Sequence, residues 1–187
     1  MKKQLLPALR LTLVLLVVCA GIYPLLVWAA AQFAPGRGEG VQLSRAGRVV
    51  GYANVGQKFT RPKYFNSRPS AVDYKADASA GSNKGPSNPD YLLQVKARLD
   101  TFLLQNPGVQ ATDVPVELLT ASGSGLDPHL SPQGVLVQMG RVARARGLAP
   151  ARVAALVEAT TEGGGLAPPT VNVLRLNLAL DALAKRP

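Results

Sequence analysis

The chain has 187 residues and a formal net charge of +10, with one cysteine and one histidine. A single cysteine excludes an intramolecular disulfide and a cysteine-built zinc site, and one histidine without a carboxylate cluster leaves a metal site nothing to assemble from. The lysines and arginines are scattered rather than striped, which points to a solvated surface near anionic lipid headgroups and away from a nucleic-acid groove.

The stretch Leu11 to Phe33 (LTLVLLVVCAGIYPLLVWAAAQF) dominates the N-terminal part, and no charged side chain occurs from Leu11 to Gly36. A helix rising about 1.5 Å per residue crosses the hydrocarbon core with roughly 20 apolar residues. Pro24 removes one backbone hydrogen bond, which membrane helices tolerate when a neighbour takes up the freed carbonyl. Tyr23 falls mid-span and Trp28 near the far end, where indole rings favour the interface. No later stretch is hydrophobic for long enough, so the expectation is one span. Ala29-Ala30-Ala31 also suits a signal peptidase, which keeps a cleaved export signal as the alternative. The run exceeds the usual core of about 7–15 residues in a signal peptide, which favours an uncleaved anchor. Val18 is too bulky for lipoprotein processing at Cys19, so Cys19 reads as a small membrane-facing hydrophobe. Lys2, Lys3 and Arg10 precede the span; Arg37, Arg45 and Arg48 follow it. The short basic tail, residues 1–10, favours a cytoplasmic N-terminus in a bacterial inner membrane, with the domain outside.

Residues 34–47 begin glycine-rich and read as a flexible linker before a domain spanning residues 48–187. Arg48 to Asn54 reads as a strand with Gly51 a candidate bulge. From Gly56 to Pro89 the chain is polar but carries Phe59, Tyr64, Phe65 and Tyr74, which give a long loop something to bury. Ser87-Asn88-Pro89 opens a helix reaching Gln105, with Leu92, Val95, Leu99, Phe102 and Leu103 facing the core. Val114 to Leu119 fits an edge strand, because Pro115 cannot donate to a ladder. Ser131-Pro132 opens a second helix that ends near Gly147 with Val135, Val137, Met139 and Val142 among its apolar positions. Arg141, Arg144 and Arg146 suit the negative end of its dipole. A third helix runs from Pro150 to Thr160. Asn172 caps a last one, in which Val173, Leu176, Leu180 and Leu183 recur at steps of three and four. The fold class is α+β: one transmembrane helix, then a single helix-rich extracytoplasmic domain with a small β-sheet.

Thr120 to Asp127 (TASGSGLD) is the most unusual stretch outside the membrane. Small residues with two glycines suit a tight turn, and exposed N–H groups at Ser122, Gly123, Ser124 and Gly125 form the one candidate anion cradle. Its nearest basic candidate is Arg141, about a helix away. Ser122, Ser124, Asp127 and His129 suggest a hydrolase, but neither serine has the glycines of the nucleophile elbow. Val49 to Ala53 (VVGYA) looks like a potassium filter, yet a filter needs several such loops around a pore. There is no G-x-x-x-x-G-K-[ST] phosphate loop and no D-K-T-G-T phosphorylation motif. The chain alone shows no catalytic residue.

Taken together, the motifs resemble the KdpC subunit family of the potassium-importing Kdp ATPase. The likeness rests on Gly56-Gln57-Lys58-Phe59, on Tyr64-Phe65 followed by Arg68-Pro69-Ser70-Ala71, and on Gly81-Ser82-Asn83 and Ser87-Asn88-Pro89. It continues through Val114 to Pro132, Gln138, Arg141-Val142-Ala143, Arg146-Gly147-Leu148 and Val171 to Asp181. Asn54-Val55, Asn66-Ser67 and a short segment Gly163 to Pro169 depart from the family pattern. The resemblance implies a non-catalytic subunit that assembles with a channel-like potassium-binding subunit, an ATP-hydrolysing P-type subunit and a very small membrane subunit. It also implies a catalytic chaperone that raises the ATP affinity of the pump subunit. Any nucleotide contact it implies falls on Ser122, Gly123, Ser124, Gly125 and Arg141. Structural or interface roles fall on Gln57, Arg68, Asn83, Thr120, Asp127, His129, Asn172 and Asn177. No bound cofactor is expected, because ATP serves the partner pump. The rival readings are an anchored or secreted hydrolase and a binding module released after Ala31.

Overall fold

The computed structural model describes residues 2–165 and 167–183. Leu166, inside the segment expected to be short, and residues 184–187 of the expected domain lie outside the described residues. The chain divides into two compact units, Met1–Val41 and Gln42–Pro187.

The first unit is built on one long helical run. Helix α1 covers Lys2–Val17, a π-helical turn covers Val18–Ile22, and α2 covers Tyr23–Ala31. Pro24 explains the interruption. It offers no N–H to the ladder, and just before it Tyr23 N–H donates five residues back, to Val18 O. The run Lys3–Ala31 reaches a mean hydropathy of 2.4 in its most apolar window and is long and apolar enough to cross a membrane. The chain then curls through successive turns, with Phe33 N–H bonded to Ala30 O, Arg37 N–H to Ala34 O and Glu39 N–H to Gly36 O.

The second unit opens with an antiparallel hairpin of β1 (Gln42–Arg45) and β2 (Arg48–Tyr52); β1 lies within the stretch expected as linker. Leu43 faces Gly51 and Ser44 faces Val49, so Val50 is the extra residue of a bulge beside Gly51. The Gln57 side chain donates to the Val50 carbonyl at 2.8 Å. It lies so close that a Cβ on Gly51 would stand 2.0 Å from Gln57 Nε2.

A three-stranded antiparallel sheet forms the centre. It takes the order β3 (His129–Leu130), β5 (Ala167–Asn172), β4 (Thr161–Gly164). Helices α4 (Pro132–Arg146), α5 (Pro150–Thr160) and α6 (Val173–Leu183) pack around β5. Leu130, Val135, Val142, Val153, Val171, Leu176 and Leu180 are almost fully buried there. Burying such a side chain contributes roughly 1.5–3 kcal/mol. Both longer helices start as the sequence demands: the Asn88 side chain accepts from Tyr91 N–H and opens α3 (Pro89–Gln105), and Ser131 accepts from Gly134 N–H and opens α4. The α+β architecture with one N-terminal apolar helix matches the expected class.

Two local expectations fail. Val114 to Leu119 is not an edge strand, because Ala111–Asp113 and Val116–Leu118 form 3-10 turns. Val114, Leu118 and Leu119 are buried while Val116 is exposed, a helical rather than alternating pattern. The turn also brings Glu117 to the start of α4, where its carboxylate accepts from Ser131 N–H at 2.9 Å and Ser131 Oγ at 2.6 Å. Leu92 is 52% exposed, whereas Val95, Leu99, Phe102 and Leu103 meet the core. The core does not reach the first turn of α3.

Candidate functional site

The long segment between Gly56 and Pro89 has almost no regular secondary structure, so its buried backbone groups need other partners. Side-chain amides supply them. Phe65 is fully buried, and Asn177 pairs with both of its backbone groups: Phe65 N–H donates to Oδ1 at 2.9 Å, and Nδ2 donates to Phe65 O at 3.0 Å. Gln138 does the same for Asn66, accepting its N–H at 2.8 Å and donating to its carbonyl at 3.2 Å. Two consecutive residues are thus gripped from α6 and α4, as a neighbouring strand would grip them. Phe59 stacks obliquely on Tyr64, with ring centroids 5.6 Å apart.

Arg141 completes this clamp. Its Nη1 donates to Pro62 O and Tyr64 O, its Nε to Asn106 Oδ1 and its Nη2 to Gln138 Oε1. The guanidinium is therefore a buried strut, and burial pushes its pKa below the usual arginine value. This corrects its expected place at the helix dipole. None of its partners lies in residues 122–125, so the structure does not join Arg141 to the Ser-Gly turn. Arg146 likewise turns inward, donating to Lys63 O and to Asp181 Oδ1 at 2.9 Å. Asp181 also receives Tyr64 OH at 2.9 Å and Arg45 from β1. Burial works against its charge, yet the hydrogen bonds from Arg146 and Tyr64 and the charges of Arg146 and Arg45 prevail. The carboxyl is held below its ordinary range.

The Ser-Gly turn is the second anchor of the long segment. Ser122 N–H donates to Pro69 O, while Ala80 N–H and Ser79 Oγ donate to Ser124 O. Gly125 has φ +70°, and a Cβ there would stand 2.7 Å from Val72 Cγ2 and 2.9 Å from Ala80 O. The small residues permit this close approach. Two of the supposed cradle N–H groups are spent internally, Ser122 on Pro69 O and Gly125 on Ser122 O. The Ser122 side chain is buried, and neither serine bonds to His129.

The other expected positions divide along the same lines. Arg68 pairs with Asp127 Oδ2 at 3.0 Å, and Asp127 Oδ1 accepts His129 N–H at 3.0 Å. His129 Nε2 lies 3.5 Å from Asn172 Nδ2, which donates to Ala53 O at 2.7 Å; Asn172 Oδ1 caps α6 through Arg175 N–H. Thr120 Oγ1 returns to Val116 O at 3.0 Å. Asn83 is exposed in a left-handed conformation with φ 52° and is joined to none of these groups. Residues with such roles that the sequence did not single out include Asn106, Glu117, Gln138, Tyr64 and Asp181. A signal for Asp181 existed: it sits with Asn177 on the α6 face that also carries Val173, Leu176 and Leu180.

The family model for KdpC, described as the K+-transporting ATPase c chain, matches residues 5–182. The chain belongs to the KdpC family. A potassium-transporting ATPase KdpC subunit of Flavobacterium johnsoniae is 52% identical over 181 residues, covering 97% of this chain and 99% of its own length. The protein of the same description from Sorangium cellulosum is 52% identical over 188 residues, with coverages of 97% and 98%. The one from Bacteroides fragilis is 48% identical over 190 residues, with coverages of 98% and 100%. In this KdpC-family chain several of the motif-bearing positions, among them Arg68, Gln138, Arg141, Arg146 and Asn177, are joints that hold the 56–89 segment on the core.

Proposed function

We propose that the chain is the non-catalytic KdpC subunit of a potassium-transporting ATPase. In this reading it is anchored by one span with its N-terminus cytoplasmic and presents a rigid docking block, residues 48–187, on the outer face of the inner membrane. Its partners are a channel-like potassium-binding subunit, a P-type ATP-hydrolysing subunit and a small membrane subunit. The observation that carries the reading is where the candidate groups of the sequence lie: Arg141 is buried and bonded to Pro62 O, Tyr64 O, Asn106 and Gln138, Asp127 pairs with Arg68 and accepts His129 N–H, and Ser122 is buried with no bond to His129. A protein built to be rigid rather than reactive suits a subunit that stabilises others.

The chaperone role described for the family takes a specific form here. The Ser-Gly turn spends two of its four N–H donors internally and Arg141 is bonded elsewhere, so direct capture of a triphosphate is disfavoured. Any gain in the pump's ATP affinity then passes through conformational coupling in the assembled complex. The deciding experiment is purification of a C-terminally tagged full chain in mild detergent. A multi-spanning channel-like chain and a P-type ATPase are expected to come with it; recovery of the chain alone would overturn the proposal.

A further inference from the structure

A groove of about 540 Å³ lies wholly within the first unit, at the C-terminal end of the span. Its length is lined by Pro24, Val27 and Trp28, and its mouth by Gln32, Arg37 and Glu39. The mouth is built rather than incidental. Gln32 Nε2 donates to both Trp28 O and Arg37 O at 3.3 Å, tying the turn back over the helix end. A side chain at Gly36 would collide with Gly40 O at 2.5 Å, so the turn closes tightly.

From Pro24 to Ala31 the helix advances about 10 Å along its axis, from the apolar interior toward the interface that indole rings prefer. An occupant must therefore be an elongated amphiphile, apolar along Val27 and polar at Gln32. The charges at the mouth narrow the choice. A purely anionic headgroup suits Arg37 but is opposed by Glu39, and an uncharged one leaves both without a partner. A phosphate followed by an ammonium satisfies both. Only a primary ammonium also donates hydrogen bonds to the carboxylate, which a quaternary one cannot.

We propose that this groove is a phospholipid site selective for an ethanolamine headgroup. The phosphate sits on Arg37, the ammonium on Glu39, and one acyl chain runs along Pro24, Val27 and Trp28. The proposal rests on the span crossing a membrane; it is independent of orientation and of the partner subunits.

Trp28 is the only tryptophan, so its fluorescence reports on the groove alone. The full-length chain is placed in phosphatidylcholine vesicles with a minor, equal fraction of lipid carrying brominated acyl chains and an ethanolamine, choline or glycerol headgroup. Quenching by the ethanolamine lipid should correspond to about threefold tighter binding than either other lipid, the scale of an exposed charge contact. R37Q and E39Q, both on the exposed turn, should bring the three lipids together. Equal quenching by all three in the unaltered chain would overturn the site, and so would a preference that survives both substitutions. No quenching by any lipid would instead refute the membrane span itself.

Discussion

Replacing Asn177 by leucine isolates the clamp on the long segment, because leucine keeps the volume and removes both hydrogen-bonding groups. Phe65 N–H and Phe65 O would each lose their partner in a site where Asn177 is 2% exposed. An unsatisfied buried backbone group costs about 1–3 kcal/mol, so the two together cost about 2–6 kcal/mol. The added apolar contact of leucine offsets one methylene's worth, about 0.8 kcal/mol. The net expectation is a loss of about 3 kcal/mol from a total that is only about 5–15 kcal/mol for a typical domain. Urea unfolding of the unit Gln42–Pro187, followed by far-ultraviolet circular dichroism, measures it. With a slope near 2 kcal/mol per molar, the midpoint should fall by about 1.5 M at unchanged slope. Q138L should behave similarly, and the double variant should lose less than the sum, since both clamps hold adjacent residues. A midpoint shift below about 0.3 M for N177L would refute the account, because the clamp would then contribute almost nothing.

The remaining predictions use other parts of the molecule. Asp181 is depressed below its ordinary value of 3.8, so its contribution to stability is fully present above that value and is lost as pH falls through the lower folded one. The stability gap between the unaltered domain and D181N should therefore be wide at neutral pH and close in strong acid; a gap independent of pH would exclude the assignment. For ATP, G123V is the cleaner probe than G125V, because a Cβ at Gly123 meets nothing within 4 Å whereas one at Gly125 strikes Val72 and Ala80. Calorimetry on the isolated domain should show weak or no ATP binding, and low-micromolar binding abolished by G123V would restore direct contact. For topology, a cysteine at Ser87 in a C19A background should react with a membrane-impermeant thiol reagent on intact spheroplasts; labelling only after lysis would place the domain inside.

What could be read from the sequence was whatever depends on short-range order. The caps at Asn88, Ser131 and Asn172, the apolar stripes of α4 and α6, and the long hydrophobic run are all set by residues within a few positions of one another. The Val114–Leu119 stretch misled because valines around a proline satisfy strand and 3-10 patterns alike, and the deciding partner, Ser131, lies 14 residues on. The β3–β5–β4 sheet was hidden because β3 is only two residues long and β5 carries two prolines, neither of which announces a strand. Arg141 was misread for a related reason. Its carbonyl partners lie 77 and 79 residues earlier, in a loop with no periodicity to place it. The resemblance named positions without their contacts, since a motif does not say what a residue touches.

The grip on residues 65 and 66 is made by two neutral amides, and the ionised group that braces it, Arg141 on Gln138 Oε1, is buried. Salt shortens the reach of charge, to about 8 Å at physiological ionic strength, but leaves such buried neutral bonds nearly untouched. Around Asp181, by contrast, the bond to Arg45 is made by a partly exposed arginine and is open to screening. A change in ionic strength should thus loosen the β1 hairpin from α6 well before it disturbs the grip on residues 65 and 66. The same domain carries one attachment that responds to its ionic surroundings and one that is indifferent to them.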